Sequence, residues 1–257
     1  MAQDTSLFSI ARQLQRSDLF FFTNRTLGDL LGLEAGQSAQ LLRRLEAAGL
    51  VARVERGKYL LLGLEPERVL SNPLFIASHL ATPCYVSFWS ALHYHGLTEQ
   101  APRETFVAVT RRKAGVQFRG LRFRFIQVAP HQFFGYQREL LGELPVVVAD
   151  RSKALADSLN WPRYAGGVGE VARALNNGRD EFDIPTLVEY ANRMDSLSLN
   201  SRLGFLLERQ GIESAGLSRA QGPISLDPGR PRNGRYDPRW RVYLNLPVQE
   251  LVPTGIG

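Results

Sequence analysis

Residues 34–62 read EAGQSAQLLRRLEAAGLVARVERGKYLLL, and the reading of this stretch decides the fold. Its first half carries Ala39, Leu42 and Leu45 three residues apart, the spacing that lines one helix face, which turns Gln37, Gln40 and Arg44 to the other. Ala47, Ala48 and Gly49 close the helix, since glycine takes the left-handed turn past a helix C-terminus without a steric cost. The second half holds two segments rich in β-formers, Leu50–Val54 and Lys58–Leu62, and Arg56-Gly57 between them predicts a tight hairpin turn. A helix, a glycine stop and a basic hairpin make the pattern of a winged helix-turn-helix. A helix fits the major groove of duplex DNA, and a protruding basic ribbon can meet the flanking backbone.

Upstream, Thr5–Gln15 places Leu7, Ile10, Ala11 and Leu14 at helical spacing behind the capping cluster Asp4-Thr5-Ser6. Phe20–Phe22 is a short apolar run, read as a strand or a tight connection packed under the helices. Thr26–Leu31 reads as a second helix ended by Gly32, and the turn Gly32–Gly36 leads into the recognition helix. Three helices and a wing complete a DNA-binding module expected over residues 1–64, with Glu65-Pro66-Glu67 as a short junction.

Beyond the junction, Leu74–Leu80 and Ser87–His95 read as helices, stopped by Pro83 and Gly96. Phe106–Thr110, Leu121–Ala129 and Pro145–Ala149 read as strands. Helices follow at Asp150–Leu159, Val168–Leu175, Pro185–Arg193 and Leu199–Gln210, then a Gly/Pro/Arg loop over Gln221–Arg239 and a last strand, Trp240–Leu246. Strands and helices mingle without a regular βαβ rhythm. The expected fold class is therefore α+β: an N-terminal winged helix-turn-helix, then a mixed α/β C-terminal domain over 65–257.

Composition bounds the rest. The chain of 257 residues is long enough for one or two domains, and its 31 basic against 25 acidic side chains give +6, which suits a polyanionic partner. The excess is spread evenly: residues 1–63 carry 8 basic and 6 acidic, 64–150 carry 9 and 7, and 151–257 carry 14 and 12, so clusters rather than a tail must hold any binding face. Cys84 is alone, which excludes an internal disulfide and a cysteine metal cage. No apolar run approaches the roughly 18–20 residues of a membrane span, and no secretory leader is recognisable, so a cytoplasmic protein without membrane contact is expected.

In the middle of the chain, YVSFWSALHYHGLTEQAPRETFVAVT (Tyr85–Thr110) resembles the type IV antitoxins of the abortive-infection AbiE system, the AbiEi family. DRSKALADSL (Asp150–Leu159), YAGG (Tyr164–Gly167), RLGFLLE (Arg202–Glu208) and RWRVYLNL (Arg239–Leu246) agree with it in order, so the resemblance spans nearly the whole chain. It implies an N-terminal domain that binds inverted repeats in double-stranded DNA upstream of its own operon and represses it. It also implies a C-terminal domain that counters a cognate toxin similar to nucleotidyltransferases. It carries over no catalytic residue, so no enzyme, cofactor or metal is expected; a stand-alone regulator, or less favourably an enzyme that modifies a partner protein, stays open.

The candidate DNA contacts are Gln37, Ser38, Gln40, Arg43 and Arg44 on the recognition helix and Arg53, Arg56 and Lys58 on the wing. Glutamine suits adenine and arginine suits guanine; a serine near a helix start can hold a phosphate, and cations on the ribbon can hold backbone. The blander readings are a winged helix kept for docking protein, a solvated Arg43, and an exposed polar tip in which Glu55 opposes an anion.

A second basic face comprises Arg111, Arg112, Lys113, Arg119, Arg122 and Arg124, the last two alternating with apolar residues along one strand. It would extend a DNA footprint, meet an acidic partner, or simply face solvent. His93 and His95, two apart on a helix, diverge too far to share an ion readily. The turn Gly166-Gly167-Val168-Gly169 lacks the lysine and hydroxyl of a phosphate loop and reads as the start of a helix. Asp150 and Lys153 lie one turn apart on an expected surface.

Overall fold

A computed structural model describes residues 6–251, so the expected caps Asp4 and Thr5 lie outside the described residues. Helix α1 (Leu7–Arg16) buries Ile10, Ala11 and Leu14. Strand β1 (Phe21–Phe22) follows, and α2 (Asn24–Leu31) is capped by Thr23, whose Oγ1 accepts from the Thr26 amide at 3.1 Å. Helix α3 (Ala35–Ala47) ends before Gly49, at φ +72°, and the hairpin of β2 (Val51–Glu55) and β3 (Lys58–Leu61) turns at Gly57, at φ +76°. The Phe20–Phe22 run is a strand: β1 pairs antiparallel with β3, Phe21 opposite Leu60 and Phe22 opposite Tyr59, giving the order β1-β3-β2.

The inward face of α3 is phased differently from the expectation. Ser38, Leu41, Leu42 and Leu45 are buried, and Ala39 only half-buried. Steps of three drift off a 3.6-residue turn, whereas the mixed steps of three and four between these positions follow it. Small residues let α2 and α3 approach: a Cβ on Gly28 would stand 2.9 Å from the Leu33 carbonyl oxygen and 3.4 Å from Ser38 Oγ.

The chain continues through α4 (Pro66–Leu70), α5 (Pro73–Leu80), β4 (Cys84–Val86), α6 (Phe88–Tyr94), β5 (Thr105–Val109), β6 (Val116–Phe118), β7 (Leu121–Gln127), β8 (Tyr136–Leu141) and β9 (Leu144–Ala149). These strands form one six-stranded sheet in the order β6-β7-β5-β4-β9-β8, parallel at β5–β7 and β4–β9 and otherwise antiparallel. Side chains alternate across a strand, so adjacent residues of β4 mark the two faces. Cys84 Sγ reaches back to the Ser78 carbonyl in α5, while the Tyr85 hydroxyl bonds Asp157 in α7 (Arg151–Asn160). The remaining helices are α8 (Val168–Asn177), α9 (Ile184–Arg193) and α10 (Leu197–Arg209). A small sheet of β10 (Ile224–Ser225), β11 (Arg235–Asp237) and β12 (Val242–Leu244) draws two short strands from the stretch read as loop. The architecture is α+β.

The N-terminal module packs on α5. Phe20 meets Phe75 edge-on at 5.3 Å, Phe21 stacks on His79 at 5.3 Å, and Lys58 Nζ donates to the Leu80 carbonyl at 2.9 Å. Just past the junction, Arg68 on α4 pairs with Glu143 of the β8–β9 turn.

Helix α7 runs through the interior with every residue from Ser152 to Leu159 buried, which corrects the surface placement of Lys153. The polar side chains on it are held from all sides. The Asp157 carboxylate accepts from Ser87 Oγ at 2.7 Å, from the Tyr85 hydroxyl at 3.1 Å and from Lys153 Nζ, and Lys153 is itself fully buried beside the Phe134 ring at 4.8 Å. The sequence hides this because a lysine and an aspartate four apart usually read as a solvated pair. Removing one partner of a buried pair strands the other charge, so Lys153→Met is expected to cost about 3–5 kcal/mol of unfolding free energy. Lys153→Met/Asp157→Asn should regain part of that in urea titrations, because the neutral amide still accepts from Tyr85 and Ser87; strictly additive losses would refute the pairing.

Candidate nucleic-acid interface

Helix α3 is anchored at its N-terminal end. The Glu34 amide donates to Gln37 Oε1 at 3.0 Å, and Asn24 Nδ2 donates to the Ala35 carbonyl at 3.1 Å, which joins the starts of α2 and α3. With the Ser38–Leu41–Leu42–Leu45 side turned inward, Gln37, Gln40, Arg43 and Arg44 are exposed. Among the described residues, no hydrogen bond or ion pair within the chain engages the side chains of Gln40, Arg43 or Arg44.

Two of the expected contacts change character. Ser38 is 1 % exposed and donates its hydroxyl to the Ala35 carbonyl at 3.1 Å, so this side chain is not on the interface; its small size serves the α2–α3 approach. Gln37 has its side-chain oxygen committed to the Glu34 amide, which leaves only its NH2 group to offer outward. Bidentate recognition of adenine needs both a donor and an acceptor, and on this helix Gln40 retains both.

On the wing, Arg53 and Arg56 are exposed, with Arg53 Nε leaning 3.4 Å from the Glu55 carbonyl. Lys58 is half-buried and faces inward, bonded to the Leu80 carbonyl and 3.3 Å from the Glu55 carboxylate. Glu55 also pairs with Lys113, whose ammonium lies 4.9 Å from the Phe125 ring centroid. That pairing sets the loop after β5 beside the wing, and Arg111 and Arg112 are exposed on it. The basic face of the sheet is less free than its composition suggests. Arg124 is held by Glu104 through two bonds of 2.7 and 3.3 Å, which raises the pKa of its guanidinium, and Arg119 lies 5.8 Å from the Phe118 ring, while Arg122 is exposed. Glu104 comes just before β5 and lies outside the 111–124 run, so a local charge count could not see it.

The other polar motifs are occupied internally. His95 Nε2 sits 2.7 Å from the Ala149 carbonyl and His93 Nδ1 3.3 Å from the Thr98 carbonyl. At the start of α8, the Val168 amide donates to the buried Asp227 carboxylate at 3.4 Å, so a protein carboxylate stands where a phosphate would sit. No helix among the described residues is long and apolar enough to cross a membrane.

A three-helix module with a three-stranded wing, whose third helix turns unengaged glutamine and arginine side chains outward, defines the winged helix-turn-helix class of DNA-binding folds. Residues 9–62 match the family described as "Transcriptional regulator, AbiEi antitoxin", the family that the sequence resembles. The match supports a role as transcriptional regulator or antitoxin. No curated protein matches the chain. The crystal structure of the RV2827C protein from Mycobacterium tuberculosis is similar in fold, with a TM-score of 0.61 at 14 % identity, over 91 % of this chain and 89 % of that one.

Cys84 is buried. Burial pushes its thiol pKa up to about 11. Below that pH the nucleophilic thiolate is scarce. Cys84 should therefore resist a thiol reagent such as DTNB at pH 8 in the native protein and react in denaturant; fast native labelling would contradict its placement.

Proposed function

We propose that the protein is a DNA-binding transcriptional regulator of the cytoplasm that reads an operator of inverted repeats through α3 and the wing. The carrying observation is the outward face of α3, where Gln40, Arg43 and Arg44 are exposed without an internal partner. In this reading Arg44 donates to guanine, Gln40 pairs with adenine, and Gln37 gives a donor to a base acceptor or a phosphate. Arg53 and Arg56 hold flanking backbone. The position of Arg111 and Arg112 beside the wing favours counting them with this footprint rather than with a separate acidic partner.

The family match over residues 9–62 supports the coarser role of transcriptional regulator or antitoxin; from the resemblance to the AbiEi family we further infer autoregulation of its own operon and the countering of a nucleotidyltransferase-like toxin. In that reading the toxin is met by residues 65–257, the second of two domains divided near Glu65. Co-expression with the neighbouring gene separates antitoxin from regulator: rescue from a toxic neighbour supports the former, and a harmless neighbour leaves a regulator alone.

Fluorescence anisotropy on the chain's own upstream DNA tests DNA reading. The wild type should bind that duplex more tightly than a scrambled one, with affinity falling steeply as salt rises, because phosphate contacts release counterions. Arg44→Ala should cost about 1–3 kcal/mol on the operator and little on scrambled DNA, while Arg56→Ala should weaken both alike and flatten the salt slope by about 1. Equal affinity for operator and scrambled DNA would reject the reading.

A further inference from the structure

We propose that Glu55 is a specificity-determining residue of the wing: it withholds two lysines from DNA and fixes the ribbon to the six-stranded sheet. The inference rests on the DNA-binding reading and concerns the regulation of that same surface. An acid at the tip of a basic hairpin is at first sight unfavourable, since it repels the phosphates that its neighbours would attract.

Its geometry explains it. The register between β2 and β3 slips between Arg53 and Glu55, and the slip sets Glu55 directly opposite Lys58, where cross-strand charges interact best. From there one carboxylate oxygen lies 3.3 Å from Lys58 Nζ and the other bonds Lys113 Nζ. The Glu55 side chain is only 21 % exposed and that of Lys113 only 20 %, so the pair is drawn into the joint rather than waving in solvent. Each lysine has a second restraint on the C-terminal side, Lys58 at the Leu80 carbonyl and Lys113 over Phe125. Arg53 and Arg56 therefore stay outward as the wing cations on offer, held at a fixed angle to α3.

Lysine ammonium groups near phosphate contribute affinity regardless of sequence. Two mobile lysines, one on the wing and one on the adjoining loop, would raise binding to any duplex and narrow the margin by which the operator is preferred. Spending them on Glu55 keeps that margin.

Full-length Glu55→Gln tests this in salt titrations on operator and scrambled duplexes, alongside Glu55→Gln/Lys113→Met. The single variant should bind scrambled DNA several-fold more tightly at low salt, with a log–log salt slope steeper by about 1, and its operator preference should fall. The double variant should return the slope towards the wild-type value. Unchanged slopes in Glu55→Gln, with thermal stability altered or not, would make Glu55 a structural fastener only and overturn the inference while leaving DNA reading intact. A wild type that binds no duplex would remove the DNA-binding reading and this inference with it.

Discussion

Helix α5 is held by both large layers of the molecule at once, and the placement of the proposed DNA-facing surface depends on it. Its Phe75 is fully buried between the edge strand of the winged module and the six-stranded sheet, with Phe20 against one side of the ring. Ser78, one turn on, accepts from the Val147 amide of β9 at 2.9 Å and donates to the Leu74 carbonyl, which locks the helix to the sheet. The ring contacts of Phe20 and Phe21 with α5 remove apolar area from water, whereas the ion pair Glu55–Lys113 sets orientation more than strength. A wing fastened in this way presents its arginines in a fixed relation to the recognition helix. On the proposed reading, less ordering entropy then remains to be lost on binding DNA.

Much of the winged module was legible because each of its parts follows a local rule. Gly49 and Gly57 take positive φ where a helix stop and a hairpin turn need it, and the period of the apolar residues reveals α3. What stayed hidden is non-local. Ser38 reads as a polar helix-start residue until the crossing with Gly28 shows that its size matters, and Lys58 reads as a free cation until the Leu80 carbonyl appears 22 residues away. Lys153 and Asp157 are the sharpest case, since only the surrounding helices and Tyr85 turn a surface-like pair into an interior one. Short strands such as β6 and β8 were missed because their partners, not their own composition, make them strands.

Charge in this protein is allocated rather than accumulated. Of the cations once grouped into a basic face, Lys113 and Arg124 are tied to carboxylates, while Arg111, Arg112 and Arg122 remain outward. The moderate net charge of +6 therefore understates the contrast between a surface where arginines are left free and one where they are neutralised. The same economy governs the helix termini, where Asp150, Asp183 and Asp227 accept backbone amides.

The central claim is that α3, the wing and the adjoining 111–113 loop form one DNA-facing surface. Amide hydrogen exchange of the full-length protein, with and without its upstream duplex at moderate salt, tests it most directly. Slowed exchange confined to α3, residues 51–61 and the loop after β5 is the expected result. Protection lying instead in α8–α10, or none on adding duplex, would contradict it.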